Sequence, residues 1–199
     1  MPPTLENPFT PKSAIPTKRL FGGEEKKREL SRKGRERIKN IENKVRYGEK
    51  MILKSQVEFL KEVEEDLIEA AKEMGRKLNK KDVEKKLAQR IRVDESGNIV
   101  MLEFHLMRLD FINLTSLPSL DKLKNLEKLY CFDNNLTSLP DLDKLNNLKL
   151  LDCHNNNLTS MPSLNQLKNL GRLICYGNEF SEQEKKEIKS QLPGKYIEI

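Results

Sequence analysis

The chain has no tryptophan, three cysteines, two histidines and few aromatics, 6% of its 199 residues. Each scarcity excludes something. An odd cysteine count does not suit a disulfide framework and fits a reducing compartment. The cytoplasm is therefore the expected location, with export as an effector the competing reading. Two histidines, His105 and His154, leave little for imidazole catalysis, and no Ser-His-Asp spacing, P-loop or dinucleotide fingerprint accompanies them. No enzyme constellation, cofactor site or metal site is expected. No apolar run approaches the roughly 18 residues that a bilayer span needs. The opening residues also lack the apolar core of a secretory signal.

Proline is absent from Glu24 until Pro118, and that gap divides the chain. Residues 1–23 hold five prolines and end in Gly22-Gly23, which reads as a disordered tail. Residues 24–95 read as a charged α-helical segment. Ile38, Ile41 and Val45 form a sparse helical stripe that Gly48 interrupts. Leu53, Val57, Leu60, Val63, Leu67, Ala70, Met74 and Leu78 continue at spacings of three and four, an amphipathic helix ended by Asn79. Val83, Leu87 and Ile91 mark a shorter helix. The stripe suits a helical hairpin docked on the first repeat, or a coiled-coil dimer; a monomer is expected.

The net charge of +6 is uneven. Residues 12–50 carry 14 basic and 6 acidic side chains. Lys26, Lys27, Arg28, Arg32, Lys33, Arg35, Arg37 and Lys39 could contact phosphates or an acidic surface. The interleaved glutamates, and the lack of any nucleic-acid-binding signature, argue instead for a solvated helical face.

From residue 96 the chain repeats. Leu114, Leu136, Leu158 and Phe180 are each 22 residues apart. Three units read Leu126-x-x-Leu129-x-Cys131-x-x-Asn134-x-Leu136, Leu148-x-x-Leu151-x-Cys153-x-x-Asn156-x-Leu158 and Leu170-x-x-Leu173-x-Cys175-x-x-Asn178-x-Phe180. In the same phase an earlier unit reads Phe104-x-x-Met107-x-Leu109-x-x-Ile112-x-Leu114. Val100, Leu102, Phe104 and Leu106 also alternate as a strand, so its register is open. Ser181-x-x-Glu184 is a capping box that opens a last helix, and "KYIEI" reads as a closing strand.

Residues 96–199 thus resemble leucine-rich repeat proteins of the bacterial type. The resemblance implies an α/β fold: a short solenoid with parallel strands on its concave face, preceded here by the helical segment and closed by a helix-strand cap. It also implies a non-enzymatic adaptor that binds a protein partner on that face.

Side chains alternate along a strand, so each cysteine faces inward with the repeated leucines. Neighbouring strands lie about 4.8 Å apart, which sets the three sulfurs in a line and forbids their meeting at one zinc. Packing is the expected role of the cysteines. The outward residues vary from unit to unit: Leu106, Arg108 and Asp110; Lys128, Tyr130 and Phe132; Leu150, Asp152 and His154; Arg172, Ile174 and Tyr176. The last nine form the expected partner site, an aromatic column with a charged rim. The basic arm would add a second contact. Competing readings are an accessory protein of nucleic acid or the ribosome working through that arm, an effector that binds a host protein, and a structural subunit of a larger assembly.

Overall fold

Gly48 turns the chain where the helical stripe would have continued. In the computed structural model, which describes residues 44–48, 50–104 and 113–199, strands β1 (Lys44–Tyr47) and β2 (Lys50–Leu53) form an antiparallel hairpin. Val45 therefore lies on a strand, not on the expected helix. Gly48 sits at φ +55°, the left-handed region that a tight hairpin requires. A Cβ there would lie 2.5 Å from Ala88 Cβ, so glycine is also needed for packing. Alternation in β2 sends Ile52 into the core, and Tyr47 joins it from β1. The expected disordered tail and the basic residues Lys26 to Lys39 lie outside the described residues, as do Leu106, Arg108 and Asp110.

Helix α1 (Lys54–Glu73) comes directly after β2. It buries Val57, Phe59, Leu60, Val63, Leu67 and Ala71. Fully burying each large apolar side chain contributes about 1.5–3 kcal/mol. The helix ends five residues before Leu78, its expected last apolar position. Gly75, at φ +69°, ends it: Gly75 N donates to Lys72 O at 2.9 Å and Arg76 N to Ala71 O at 2.9 Å. These are the two bonds of a Schellman cap. Met74 is consequently exposed, and Asn79 starts the next helix instead of ending this one. Its side chain accepts from Lys81 N at 2.9 Å, capping α2 (Lys80–Gln89).

β3 (Ile91–Val93) and β4 (Ile99–Glu103) then form a second hairpin, closed by Asp94 N donating to Asn98 O at 3.0 Å. The domain boundary expected at residues 95 and 96 falls inside this turn. β4 continues in parallel to β5 (Lys128–Tyr130), β6 (Leu150–Asp152), β7 (Arg172–Ile174) and β8 (Tyr196–Glu198). The order in the sheet is β3-β4-β5-β6-β7-β8, with only β3 antiparallel. All described residues belong to one compact unit, Asn43–Ile199.

The register fixes the first repeat. Leu102 pairs with Leu129, and Leu129 with Leu151. The β4 position is thus 27 residues before its counterpart and not 22, so Met107 is not the equivalent of Leu129. The amide of Asn134 agrees. Asn156 Nδ2 donates to Cys131 O of the previous unit, and Asn134 Nδ2 donates to Phe104 O at 3.2 Å. Phe104 therefore stands where cysteine stands later, and the five extra residues precede Leu114.

Between strands, the return segments tighten into short turns. Leu123 N donates to Leu120 O and Leu126 N to Leu123 O, each at 2.8 Å, and later units repeat this. Each turn aims its leucines inward. Helix α3 (Glu182–Gln191) covers the far end of the stack. Ser181 Oγ accepts from Glu184 N at 3.1 Å. Glu184 Oε1 accepts from Met161 N at 2.8 Å and Gln191 Oε1 from Leu164 N at 2.8 Å, so the carboxyl and the amide tie the cap to the last repeat. One continuous core of buried side chains runs from Tyr47 to Leu192.

Candidate functional site

Parallel pairing lines up equivalent positions into rows across the sheet. The register sets Leu102, Leu129, Leu151, Leu173 and Ile197 in the inward row. The residues on either side of that row point the other way, to solvent. One outward row is Met101, Lys128, Leu150, Arg172 and Tyr196; the next is Glu103, Tyr130, Asp152, Ile174 and Glu198. Beyond it lie Phe132, His154 and Tyr176.

The last three stack. The Phe132 and His154 rings are 4.4 Å apart with planes 12° from parallel, and His154 and Tyr176 are 4.7 Å apart at 20°. Stacking of near-parallel rings at these distances adds to what area burial alone contributes. Tyr176 is 42% exposed.

Asp152 departs from its expected place on a charged rim. It is buried, between Tyr130 and Ile174 and beside the His154 ring. Its Oδ1 lies 2.6 Å from His154 Nδ1. An ionised carboxylate only accepts, so Nδ1 carries the hydrogen, and in the neutral ring Nε2 is left as a bare acceptor. At the sheet's end, Arg172 Nη2 meets Glu198 Oε1 at 3.0 Å and lies 4.9 Å from the centre of the Tyr196 ring. Tyr196 Oη donates to the same Glu198 oxygen at 2.5 Å. Tyr196 and Arg172 hold the Glu198 carboxyl below the usual carboxylate range.

Behind this face the three thiols are free and buried. Burial pushes Cys175 up to about 12 and Cys131 and Cys153 higher. A thiol that stays protonated at neutral pH is a poor nucleophile and a poor ligand. His154 is beside Cys153 in sequence but on the opposite side of the strand. Among the described residues no group of three His, Cys, Asp or Glu side chains could hold a metal ion, and no helix is long and apolar enough to cross a membrane.

A separate concavity of about 540 Å³ lies at the start of α1, lined in part by Gln56, Lys122, Lys124 and Lys144. Lys122 is paired with Glu58 at 2.5 Å and Lys144 with Asp121. The sheet face is the more chemically diverse of the two.

The nine expected residues Lys128, Tyr130, Phe132, Leu150, Asp152, His154, Arg172, Ile174 and Tyr176 fall in three adjacent rows of one sheet. Glu103, Tyr196 and Glu198 share those rows and escaped the sequence reading. The alternation around Leu102 carried the signal for Glu103, and the parity of "KYIEI" carried it for the other two.

No protein-family model and no curated protein matches the chain. Among solved structures, a leucine-rich repeat protein of Leptospira interrogans is 40% identical over 44% of this chain, with a TM-score of 0.43. The match spans 23% of that protein.

Proposed function

We propose that residues 96–199 form a leucine-rich repeat solenoid, and that the chain is a non-enzymatic interaction module. Its partner is a protein, bound on the outward face of the parallel sheet. One observation carries the reading. Tyr130, Phe132, His154, Ile174 and Tyr176 lie side by side, with Lys128 and Arg172 at their border. Aromatic anchors beside arginine are the composition of interface hot spots. The repeat positions around them are occupied by core residues, so variation is concentrated where a partner would touch. The basic residues 26–39 would serve as a second contact, favoured by the charge of residues 12–50. Binding to nucleic acid through those residues competes with that reading.

The test is a crosslinking pull-down with the full chain. Tyr130→Ala combined with Phe132→Ala should lose the partner that the parent chain captures, while a variant with Lys26, Lys27 and Arg28 changed to Ala should weaken capture without abolishing it. Retention of every partner by the double variant would show that the sheet face is not the site.

A further inference from the structure

We infer that the Asp152–His154 pair is the seat for a basic side chain, arginine or lysine, presented by an extended segment of the partner. This rests on reading the sheet face as a protein-binding surface and adds the chemistry of what it binds.

The Asp152 side chain is only 9% exposed. Both of its contacts fall on Oδ1: His154 Nδ1 at 2.6 Å and, weakly, His154 N at 3.5 Å. Oδ2 has no hydrogen bond or ion pair among the described residues. A carboxylate offers about four acceptor positions, and one left short of donors in a buried setting is costly. Most buried polar groups are fully satisfied, so a gap of this kind calls for a donor from elsewhere.

The same row shows what is missing. Glu103, one end of the row, has Arg90 at 3.8 Å. Glu198, the other end, has Arg172 at 3.0 Å. Asp152, in the middle and more buried than either, has no arginine or lysine from the described residues. The end of the sheet also displays the completed arrangement, since Arg172 lies between the Glu198 carboxylate and the Tyr196 ring. At Asp152 the ring is present in Tyr130, directly across the strand pair, and Ile174 forms the other wall. A guanidinium or ammonium there would meet a carboxylate and the neighbouring ring, as Arg172 does.

Both open positions, Asp152 Oδ2 and the Nε2 of neutral His154, accept hydrogen bonds. A metal ion would need further ligands, and none are grouped with these two among the described residues. A phosphate would be repelled by the carboxylate. The chain as a whole carries +6, so long-range attraction favours acidic peptides. A preference for basic ones would therefore have to come from a local site.

The full chain is panned against displayed hexapeptides in which one position is fixed as Arg, Lys, Gln or Glu and the others are random. Arg and Lys peptides should be enriched over Gln and Glu by roughly tenfold or more, the size expected for a charge-assisted contact. Asp152→Asn should erase that preference, and Tyr130→Ala with Phe132→Ala should lose binding altogether. A second measurement uses the unmodified protein. The imidazole resonance of His154, assigned with His105→Gln, should shift when a selected Arg peptide is added. Peptides that need Tyr130 and Phe132 but show no basic preference would overturn this inference and leave the binding face intact. It is equally overturned if Asp152→Asn keeps the preference, if His154 does not respond, or if no basic peptide is enriched. Peptides indifferent to Tyr130 and Phe132 would instead remove the face on which it rests.

Discussion

Asn156 joins two repeats with a single amide. Its Oδ1 accepts from Leu136 N at 3.0 Å, and its Nδ2 donates to Cys131 O at 3.0 Å and to Cys153 O at 3.1 Å. These backbone groups lie where the chain leaves the sheet and has no ladder partner, so the side chain supplies one. Asn134 and Asn178 do the same. Asn156 is 6% exposed, whereas Asn178 is only half-buried. Asn156→Ala would strand an N–H and two carbonyls away from water, at about 1–3 kcal/mol for each group left unsatisfied. Asn178→Ala should cost less, because water reaches that end. Urea midpoints of the two variants check this; equal losses would contradict it. The recurrence of asparagine every 22 residues was visible in the sequence, and so was the inward parity of the cysteines. The burial of Asp152 was not, because parity alone made it outward. It is buried by Tyr130 and Ile174 on flanking strands and by His154 two residues on.

At the scale of elements, the hairpin β1–β2 and helix α1 are joined by a buried acid. Tyr47 Oη donates to Glu64 Oε1, and Gly48 N donates to Glu84 Oε1 at 2.9 Å. Burial raises the Glu64 carboxyl above its ordinary range, although the Tyr47 hydrogen bond and nearby lysines oppose this. A raised native pKa means that the folded state holds its proton more tightly than the unfolded chain. The folded state then binds more protons, so stability falls as pH rises from the unfolded carboxyl value toward the native one. Glu64→Gln keeps an acceptor for Tyr47 and removes the titration. It should flatten the loss of stability above about pH 4.3, the ordinary glutamate value, and leave the variant more stable than the parent at neutral pH. Thermal melts from pH 4 to 7 would show this; an unchanged slope would mean that Glu64 is not the group responsible. The hairpin itself was missed because Val45 extended a helical stripe. The stronger local signal was "YGEK", a two-residue glycine turn between apolar runs. Gly75, not Asn79, is likewise the stop of α1, since its φ and the bonds after it outrank a residue type at the end of a stripe.

At the scale of the whole molecule, helices and repeats share one core. Phe59 of α1 meets Phe104 at 6.3 Å between ring centres. Gln56, also on α1, accepts from Ile99 N at 2.7 Å and donates to Lys122 O at 3.1 Å. The apolar stripe of α1 is therefore buried within the chain and is not free for a coiled coil. Residues 96–199 alone would lose β3, which pairs the edge of β4, and the helix that covers Ile99, Leu102 and Phe104. An exposed strand edge beside bare apolar side chains invites association. Residues 43–199 should melt in a single cooperative transition and remain dispersed, whereas residues 96–199 should aggregate or melt broadly. Circular dichroism and light scattering on the two fragments decide the matter; a cooperative, dispersed 96–199 would mean that the repeats do not need the helices.

The sequence by itself determined what is periodic. Twenty-two-residue spacing, strand parity and the asparagine frame are local, repeated signals, and each repetition reinforces the next. They place Tyr130, Phe132, His154 and Tyr176 on one face without any tertiary information. What happens once was decided by tertiary structure. The first repeat is five residues longer because β4 must pair with β3 and β5 together, and hydrogen-bond register across strands is not written in either strand. The union of helices and repeats depends on one shared core. The burial of Asp152, and with it the gap left at its second oxygen, arises only when three strands lie side by side.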